Sequence, residues 1–333
     1  MPVWPQRYLI FRIPKTGSQN PTLCPIELYL RRFNESSDIG NFILEQTFHY
    51  GENNSYFAFT PFPIIMNYLI TGGHTGIGLE LSQILLQEGH SLSLIVRNEK
   101  RKEAAIQSLG HAGQVQIFIA DLSIQAQVHR VADEILGHWK RIDGIFNNAG
   151  LLADQAYVSE QGNEMQLEIN ALAPYLLTRA LKPALDKAES PFVINTGTGG
   201  LHNQKELDIP ELVKPTKFVK LMGSYLKSKM AMTLLLNTLA EEWKGVRIAT
   251  VDPGPNKTGM TSGSGMPAWL VPIRNIFFAK PIVGAKKLYK GAFDPVFQDQ
   301  SGVYISGNKV KALNLKWGQV EIQELFPKGL SVK

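Results

Sequence analysis

The chain is almost without cysteine, with Cys24 alone among 333 residues. One thiol excludes an intramolecular disulfide and any Cys-rich zinc centre, and it suits a reducing compartment, so a cytoplasmic protein without a bound metal is expected. No run approaches the roughly 18–20 uninterrupted apolar residues that a membrane-spanning helix needs, so stable membrane insertion is not expected. The first fifteen residues are interrupted by Pro2, Pro5, Arg7, Arg12 and Pro14, which leaves no apolar core for a signal peptide. Charge of one sign is also scarce: 34 Lys and Arg stand against 29 Asp and Glu, a net charge of +5, with only short basic pairs such as Arg31-Arg32 and Lys286-Lys287. That excess can attract an anionic ligand but makes no nucleic-acid footprint. What remains, 44% hydrophobic and 19% charged residues, is the composition of an ordinary globular protein.

Residues 1–65 alternate short apolar pieces with polar, proline and asparagine clusters, without sustained periodicity, and no fold is assigned to them. From Met66 onward the pattern is regular. Apolar strands are predicted at Asn67–Ile70, Leu92–Val96, Val115–Ala120, Ile142–Phe146, Phe192–Asn195, Val246–Val251 and Val303–Ile305. Between them lie apolar stripes at helical spacing, such as Ile77, Leu81, Ile84 and Leu85, or Val128, Val131, Ala132 and Ile135. Strands rich in Val, Ile and Leu without polar alternation, each followed by a crossover helix, predict a doubly wound parallel α/β sheet in a single catalytic domain over 66–333. In that architecture ligands bind outside the carboxyl ends of the strands, so function is sought there.

The first strand runs into Thr71-Gly72-Gly73-His74-Thr75-Gly76-Ile77-Gly78, which opens a helix. Glycines allow a sharp turn and let a pyrophosphate approach the helix N-terminus, although a tight strand-to-helix turn alone would also need small residues. At the end of the second strand stands Arg97, where an arginine pairs with the 2′-phosphate of NADP and an acidic residue would select NAD; Glu99 keeps NAD open, and a solvated loop charge is the plain alternative. The third strand ends at Asp121-Leu122, where the carboxylate can accept from an adenine amino group, and the fourth at Asn148-Ala149-Gly150, which offers close backbone approach and a strand-tying amide. Either is equally read as a turn. The fifth strand leads to Thr198, and Tyr225 lies four residues before Lys229 at the start of a helix, on one helical face. There an ammonium is expected to lower the phenol pKa toward working pH and make a proton donor.

Together and in order, Thr71-Gly-x-x-x-Gly76-Ile-Gly78, Asp121-Leu122, Asn148-Ala149-Gly150, Asn170, Tyr225-x-x-Ser228-Lys229 and Pro253-Gly254 resemble a classical short-chain dehydrogenase/reductase over about residues 66–310. The resemblance implies a Rossmann fold and NAD(P)-dependent oxidoreduction, with NADP preferred on the reading of Arg97, and a catalytic tetrad of Asn170, Thr198, Tyr225 and Lys229. Threonine replaces the family's usual serine at Thr198. Lys229 is also implied to bind the nicotinamide ribose, Asn170 to hold a relay water, Pro253 and Gly254 to shape the turn beside the nicotinamide, and Thr258 to contact its carboxamide or phosphate. Residues Gly72, His74, Thr75, Gly76, Ile77 and Gly78 are the implied pyrophosphate turn.

The 27 residues from Thr198 to Tyr225 include Leu207-Asp208-Ile209-Pro210-Glu211-Leu212, similar to an insertion of retinol dehydrogenase-like members, which implies a small apolar carbonyl or alcohol as substrate. Protochlorophyllide reductases share the longer layout but carry a cysteine in the site, and none follows Met66 here. The segment of about 255–282, with Met266, Trp269, Leu270, Val271, Ile273, Ile276, Phe277 and Phe278, is expected to cover the substrate; core packing, a dimer contact or peripheral membrane contact are the other readings. Members of the family are commonly dimers or tetramers, so a homo-oligomer is implied. A non-catalytic NADP-binding regulator on the same fold is the alternative, but it would be expected to have lost Tyr225, Lys229 or Asn170. Because Met66 falls where such proteins begin, residues 1–65 are expected to be a poorly ordered extension or an upstream start that is not used.

Overall fold

The computed structural model describes residues 9–12, 47–51, 54–59 and 64–313, apart from 111–112, 204–206, Met222 and Ala268. The chain divides into two compact units, Met1–Ile64 and Ile65–Lys333. In the first, β1 (Leu9–Arg12), β2 (Thr47–Gly51) and β3 (Asn54–Phe59) form an antiparallel sheet in the order β1-β3-β2, where the sequence pattern assigned no element. Cys24, and the questions of order and translation start over most of residues 1–65, lie outside the described residues.

The second unit contains, in chain order, β4 (Asn67–Thr71), α1 (Gly76–Gln87), β5 (Ser91–Val96), α2 (Glu99–Leu109), β6 (Val115–Ile119), α3 (Gln125–His138) and β7 (Gly144–Asn147). A helical segment follows in three pieces: α4 (Met165–Leu167), a π-helical turn (Glu168–Leu172) and α5 (Ala173–Ala180). Then come α6 (Lys182–Leu185), β8 (Phe192–Thr196), α7 (Ile209–Val213), α8 (Ser224–Glu242), β9 (Arg247–Val251), α9 (Gly259–Ser262), α10 (Leu270–Phe277), α11 (Pro281–Phe293), β10 (Val303–Ser306) and β11 (Lys309–Lys311). The eight strands form one sheet in the order β11-β10-β9-β8-β7-β4-β5-β6, parallel throughout except for β11. This is the doubly wound Rossmann architecture that the strand pattern predicts. The short, lysine-flanked β11 was not anticipated; its signal is Gly307-Asn308, both at positive φ (61° and 60°), which suits a tight hairpin turn.

Side chains alternate across each strand, and both faces are covered. From β4, Tyr68 and Ile70 join Leu81 and Leu85 of α1 and Ala285, Leu288 and Ala292 of α11 on one face. Leu69 points the other way, into a cluster with Val128, Val131 and Ile135 of α3 and Leu235 and Leu239 of α8. Full burial of such a side chain stabilises the fold by roughly 1.5–3 kcal/mol. Two covered faces explain why the strands read as unbroken apolar runs. The chain order reverses between β4 and β7, with β5 and β6 to one side and β8 to β10 to the other, so a crevice opens outside their carboxyl ends.

Candidate active site

Beyond Thr71 the backbone turns at Gly72, whose φ of +68° favours glycine. A Cβ on Gly78 would lie 2.4 Å from the Gly72 carbonyl oxygen and 2.5 Å from Asn148 Nδ2, so only glycine lets α1 start this close to the turn. Thr75 is extended and its side chain does not cap α1, which leaves the first-turn N–H groups without that partner. His74 Nδ1 is buried and unpartnered, and burial, aided by Arg101, holds the imidazole below its usual pKa and hence neutral. Across the crevice, Thr71 Oγ1 accepts from the N–H groups of Asn148 (3.0 Å) and Ala149 (2.9 Å), while Asn148 Nδ2 donates to the Thr71 carbonyl (3.2 Å). Asn148-Ala149-Gly150 is thus tied to β4. Thr258 caps α9, and its methyl group approaches to 3.2 Å of where a Gly76 Cβ would be, so the loop after β9 meets the glycine turn. Gly254, at φ +73°, donates its N–H to Asp252 Oδ1 (2.8 Å), which shapes the Pro253-Gly254 turn. Ile77 and Leu122 are partly buried packing residues at the edges of the two cores.

Arg97 and Asp121, read separately from the sequence, face each other. Arg97 Nε donates to Asp121 Oδ2 at 2.8 Å, and Asp121 Oδ1 accepts from the N–H and hydroxyl of Ser123. Burial would raise the Asp121 pKa, but the bonds from Ser123 and the Arg97 charge outweigh it and hold the carboxyl below the usual range. The guanidinium is 68% exposed, and its terminal nitrogens take no part in the Nε bond.

Asn170, Thr198, Tyr225 and Lys229 are brought together by three elements: the π-helical turn, the loop after β8 and α8. Asn170 sits in the π-helical turn, where its Oδ1 accepts from Leu151 N–H (2.7 Å) and its Nδ2 donates to the Leu151 carbonyl (2.9 Å) and to Ser228 Oγ (3.0 Å). The buried Glu168 carboxylate braces that turn, accepting from Gln125, Ser159 and Asn163. Ser228 Oγ in turn donates to the Tyr225 carbonyl (2.7 Å). The Thr198 hydroxyl is close enough to the Tyr225 phenol to act on its pKa, and the Thr198 carbonyl accepts from Tyr304 Oη at 2.8 Å. Lys229 Nζ donates to the Thr196 carbonyl (2.8 Å), and no carboxylate pairs with it among the described residues. Burial lowers its pKa to about 8.

The phenol departs from the sequence expectation. Desolvation pushes the Tyr225 pKa up to about 12; the Thr198 hydroxyl opposes this, and the Asp252 charge adds to it. Lys229 does not lower it here, because its ammonium is directed at Thr196 on β8. Asp252, anchored by Ser306 Oγ (2.9 Å) and Gly254 N–H, was missed as a site residue although it opens the Asp-Pro-Gly turn; Tyr304 and Ser228 were also missed.

The short chain dehydrogenase family profile matches residues 67–206, the stretch that carries the glycine turn, Asn148-Ala149-Gly150, Asn170 and Thr198. The chain is a short-chain dehydrogenase. It is 28% identical to retinol dehydrogenase 13 of Homo sapiens over 73% of this chain and 77% of that one, and 28% identical to retinol dehydrogenase 11 of Mus musculus over 72% and 76%. Among solved structures, a short-chain dehydrogenase of Shigella flexneri complexed with NADP superposes with a TM-score of 0.54 at 22% identity, covering 73% of this chain and 97% of that one, a likeness of fold. As a class, such dehydrogenases are NAD(P)-dependent oxidoreductases of alcohols and carbonyls.

The dehydrogenase's own residues fit a dinucleotide. The backbone approach at Gly78, the uncapped N-terminus of α1, the orphaned His74 Nδ1 and the charge of Lys229, without a counter-ion among the described residues, all lie along the crevice edge. The segment expected to cover the substrate keeps most of its apolar side chains out of the core. Of its eight named apolar residues only Met266 is buried, while Trp269, Ile276 and Phe277 are about 70% exposed or more.

Proposed function

We propose that this dehydrogenase prefers NADP and interconverts a carbonyl and an alcohol on an apolar substrate, with Tyr225 as the acid/base and residues 66–333 as the catalytic unit, acting in the cytoplasm. The carrying observation is the gathering of Thr198 and Tyr225 with Lys229 and Asn170 at the carboxyl edge of the sheet. When bound, the nicotinamide supplies or takes the hydride. Thr198 donates a hydrogen bond to the substrate oxygen and Tyr225 transfers the proton to or from it. With its pKa near 12 in the free enzyme, the phenol is protonated at neutral pH, which favours its role as acid in reduction. Lys229 binds the nicotinamide ribose, and its charge then acts on the phenol from a position that its present bond to Thr196 does not use. Asn170 holds a water that passes the proton on. His74, Thr75 and the N–H groups after Gly76 would hold the pyrophosphate, and Arg97, freed from Asp121 or through its terminal nitrogens, the 2′-phosphate. The preference for an apolar substrate is supported by the apolar covering segment and by the similarity to proteins named retinol dehydrogenases. Tyr225→Phe tests the assignment. With NADPH and a panel of aldehydes and ketones, turnover is expected to fall by at least about a hundredfold while NADPH binding is kept; unchanged turnover refutes it, and cofactor binding without turnover in the wild type favours a regulatory protein.

A further inference from the structure

The net charge of +5 is unevenly spread along the chain. Residues 214–221 and 253–293 contain nine Lys and Arg and no Asp or Glu, whereas the rest of the chain is acidic, with 25 Lys and Arg against 29 Asp and Glu. The two segments touch: Lys220 Nζ donates to the Ser264 carbonyl at 2.9 Å. Within the second, α10 is helical but buries none of its residues. Its apolar stripe faces water. Trp269, Ile273, Ile276 and Phe277 follow the i, i+4, i+7, i+8 spacing of one helical face and are 69%, 40%, 73% and 74% exposed, with Val219 of the first segment 46% exposed. The opposite flank holds the helix down: Arg274 donates to Thr261 and Ser262, and Lys257 Nζ to the Asn275 carbonyl. Amphipathic helices usually turn such a stripe inward, and a soluble surface seldom gathers this much exposed apolar area.

From the outward stripe and the basic residues beside it we infer that this face docks on an anionic lipid surface, with α10 lying in the headgroup plane and Lys220 and Lys280 meeting lipid phosphates. Apolar side chains at the acyl boundary and lysines toward acidic headgroups are the two parts of interfacial binding, and each adds to the other. Lys280 begins the turn into α11 and is exposed next to Phe277 and Phe278, where it can reach the headgroups while they enter the boundary. The docking does not depend on the identity of the substrate, so it stands or falls separately from the reaction proposed above. It does carry a consequence for that reaction, because the segment that binds lipid is the one after β9 read above as the substrate cover, and an apolar substrate would then enter from the lipid side.

Flotation of the full-length protein with phosphatidylcholine vesicles, and with vesicles that include about one-third phosphatidylserine, tests this. Binding is expected to the phosphatidylserine vesicles, at least about tenfold weaker to phosphatidylcholine alone, and lost in about 0.5 M salt, where screening is nearly complete. Ile276→Asp with Phe277→Asp should weaken binding at least about tenfold without changing the melting temperature, since both side chains are exposed, and Lys280→Glu should weaken it several-fold. Val296→Asp, at an apolar residue 67% exposed outside the two segments, should leave binding unchanged. Equal binding to both vesicle types, no binding to either, retained binding in the double variant or equal loss in Val296→Asp would each overturn the inference. So would sedimentation showing a wild-type dimer that the double variant dissociates, because the face would then be a contact between two copies.

Discussion

Replacing Lys229 by methionine should make the free enzyme more stable while removing its activity. The lysine is 2% exposed, has no carboxylate partner among the described residues and donates to the Thr196 carbonyl. Desolvation lowers its pKa from 10.5 to about 8, so holding the charged form in place costs about 3 kcal/mol, at roughly 1.4 kcal/mol per tenfold change in proton affinity. Methionine has similar volume and no charge; losing the bond to Thr196 returns about 1 kcal/mol, which leaves a net stabilisation of about 2 kcal/mol. For a domain of this size that is a rise in Tm of about 4–8 °C. The sign with pH is fixed. Between pH 8 and 10.5 the unfolded chain keeps a proton on Lys229 that the folded chain has released, so wild-type stability rises with pH across that window. The penalty is full below pH 8 and absent above 10.5, so the advantage of the variant should be largest at pH 7 and shrink toward pH 10. Tyr225 titrates with a similar sign in both proteins, so it cancels in the difference. Calorimetry of both proteins at pH 7, 8.5 and 10 checks this, with turnover expected to drop at least about a hundredfold. A variant that melts at or below the wild type at pH 7, or whose advantage is the same at pH 10, refutes the reasoning.

Other changes test the rest of the site. Arg97→Ala should weaken NADPH binding by about tenfold or more and leave NADH binding nearly unchanged, measured by fluorescence titration; equal loss for both, or none, would remove Arg97 from the 2′-phosphate site. Gly78→Ala places a Cβ 2.4 Å from the Gly72 carbonyl, so the turn must shift; a destabilisation of about 1–3 kcal/mol and at least a tenfold loss of cofactor affinity are expected, and a wild-type melt with wild-type affinity would show that the turn gives freely. Asp252→Asn keeps the size and an oxygen for the Gly254 N–H but removes the charge that helps to hold the Tyr225 pKa up. The phenol should then ionise at lower pH, and the alkaline rise of alcohol oxidation should move down by about one pH unit; an unmoved rise would exclude Asp252 as a tuning group.

Much of the fold and part of the site are visible in the sequence. The seven strands predicted from apolar runs are present to within a residue or two, because a parallel sheet covered on both faces needs apolar side chains on both faces, and helical stripes mark the crossovers. The glycine turn and Asn148-Ala149-Gly150 are legible because their geometry demands particular residue types: at Gly78 there is no room for a Cβ, and Asn148 must donate to the strand next to it. The π-helical turn that presents Asn170 is not legible, since Glu168 is held by side-chain bonds from Gln125, 43 residues away, and from Ser159 and Asn163 in the loop before it, which no helical periodicity reveals. The three-residue β11 is too short and too polar to show, apart from the Gly-Asn turn before it.

Charge is the least legible part, and the reason is physical. The spacing of Tyr225 and Lys229 correctly places both on one face of α8, but their protonation is set by groups that spacing cannot see. The ammonium is drawn to a carbonyl at the end of β8, 33 residues away, and the phenol answers to burial and to a carboxylate at the end of β9. Arg97 and Asp121 likewise look like two independent ligand contacts until adjacent strands β5 and β6 bring them within 2.8 Å, after which each is the other's first partner. A parallel sheet lines up the ends of strands far apart in sequence, so the groups that decide pKa and ion pairing at its carboxyl edge come from different crossovers. Binding of a dinucleotide would then have to compete with the Arg97–Asp121 pair and redirect Lys229, and this competition makes the affinity of the cofactor, as well as the rate, a test of the electrostatics described above.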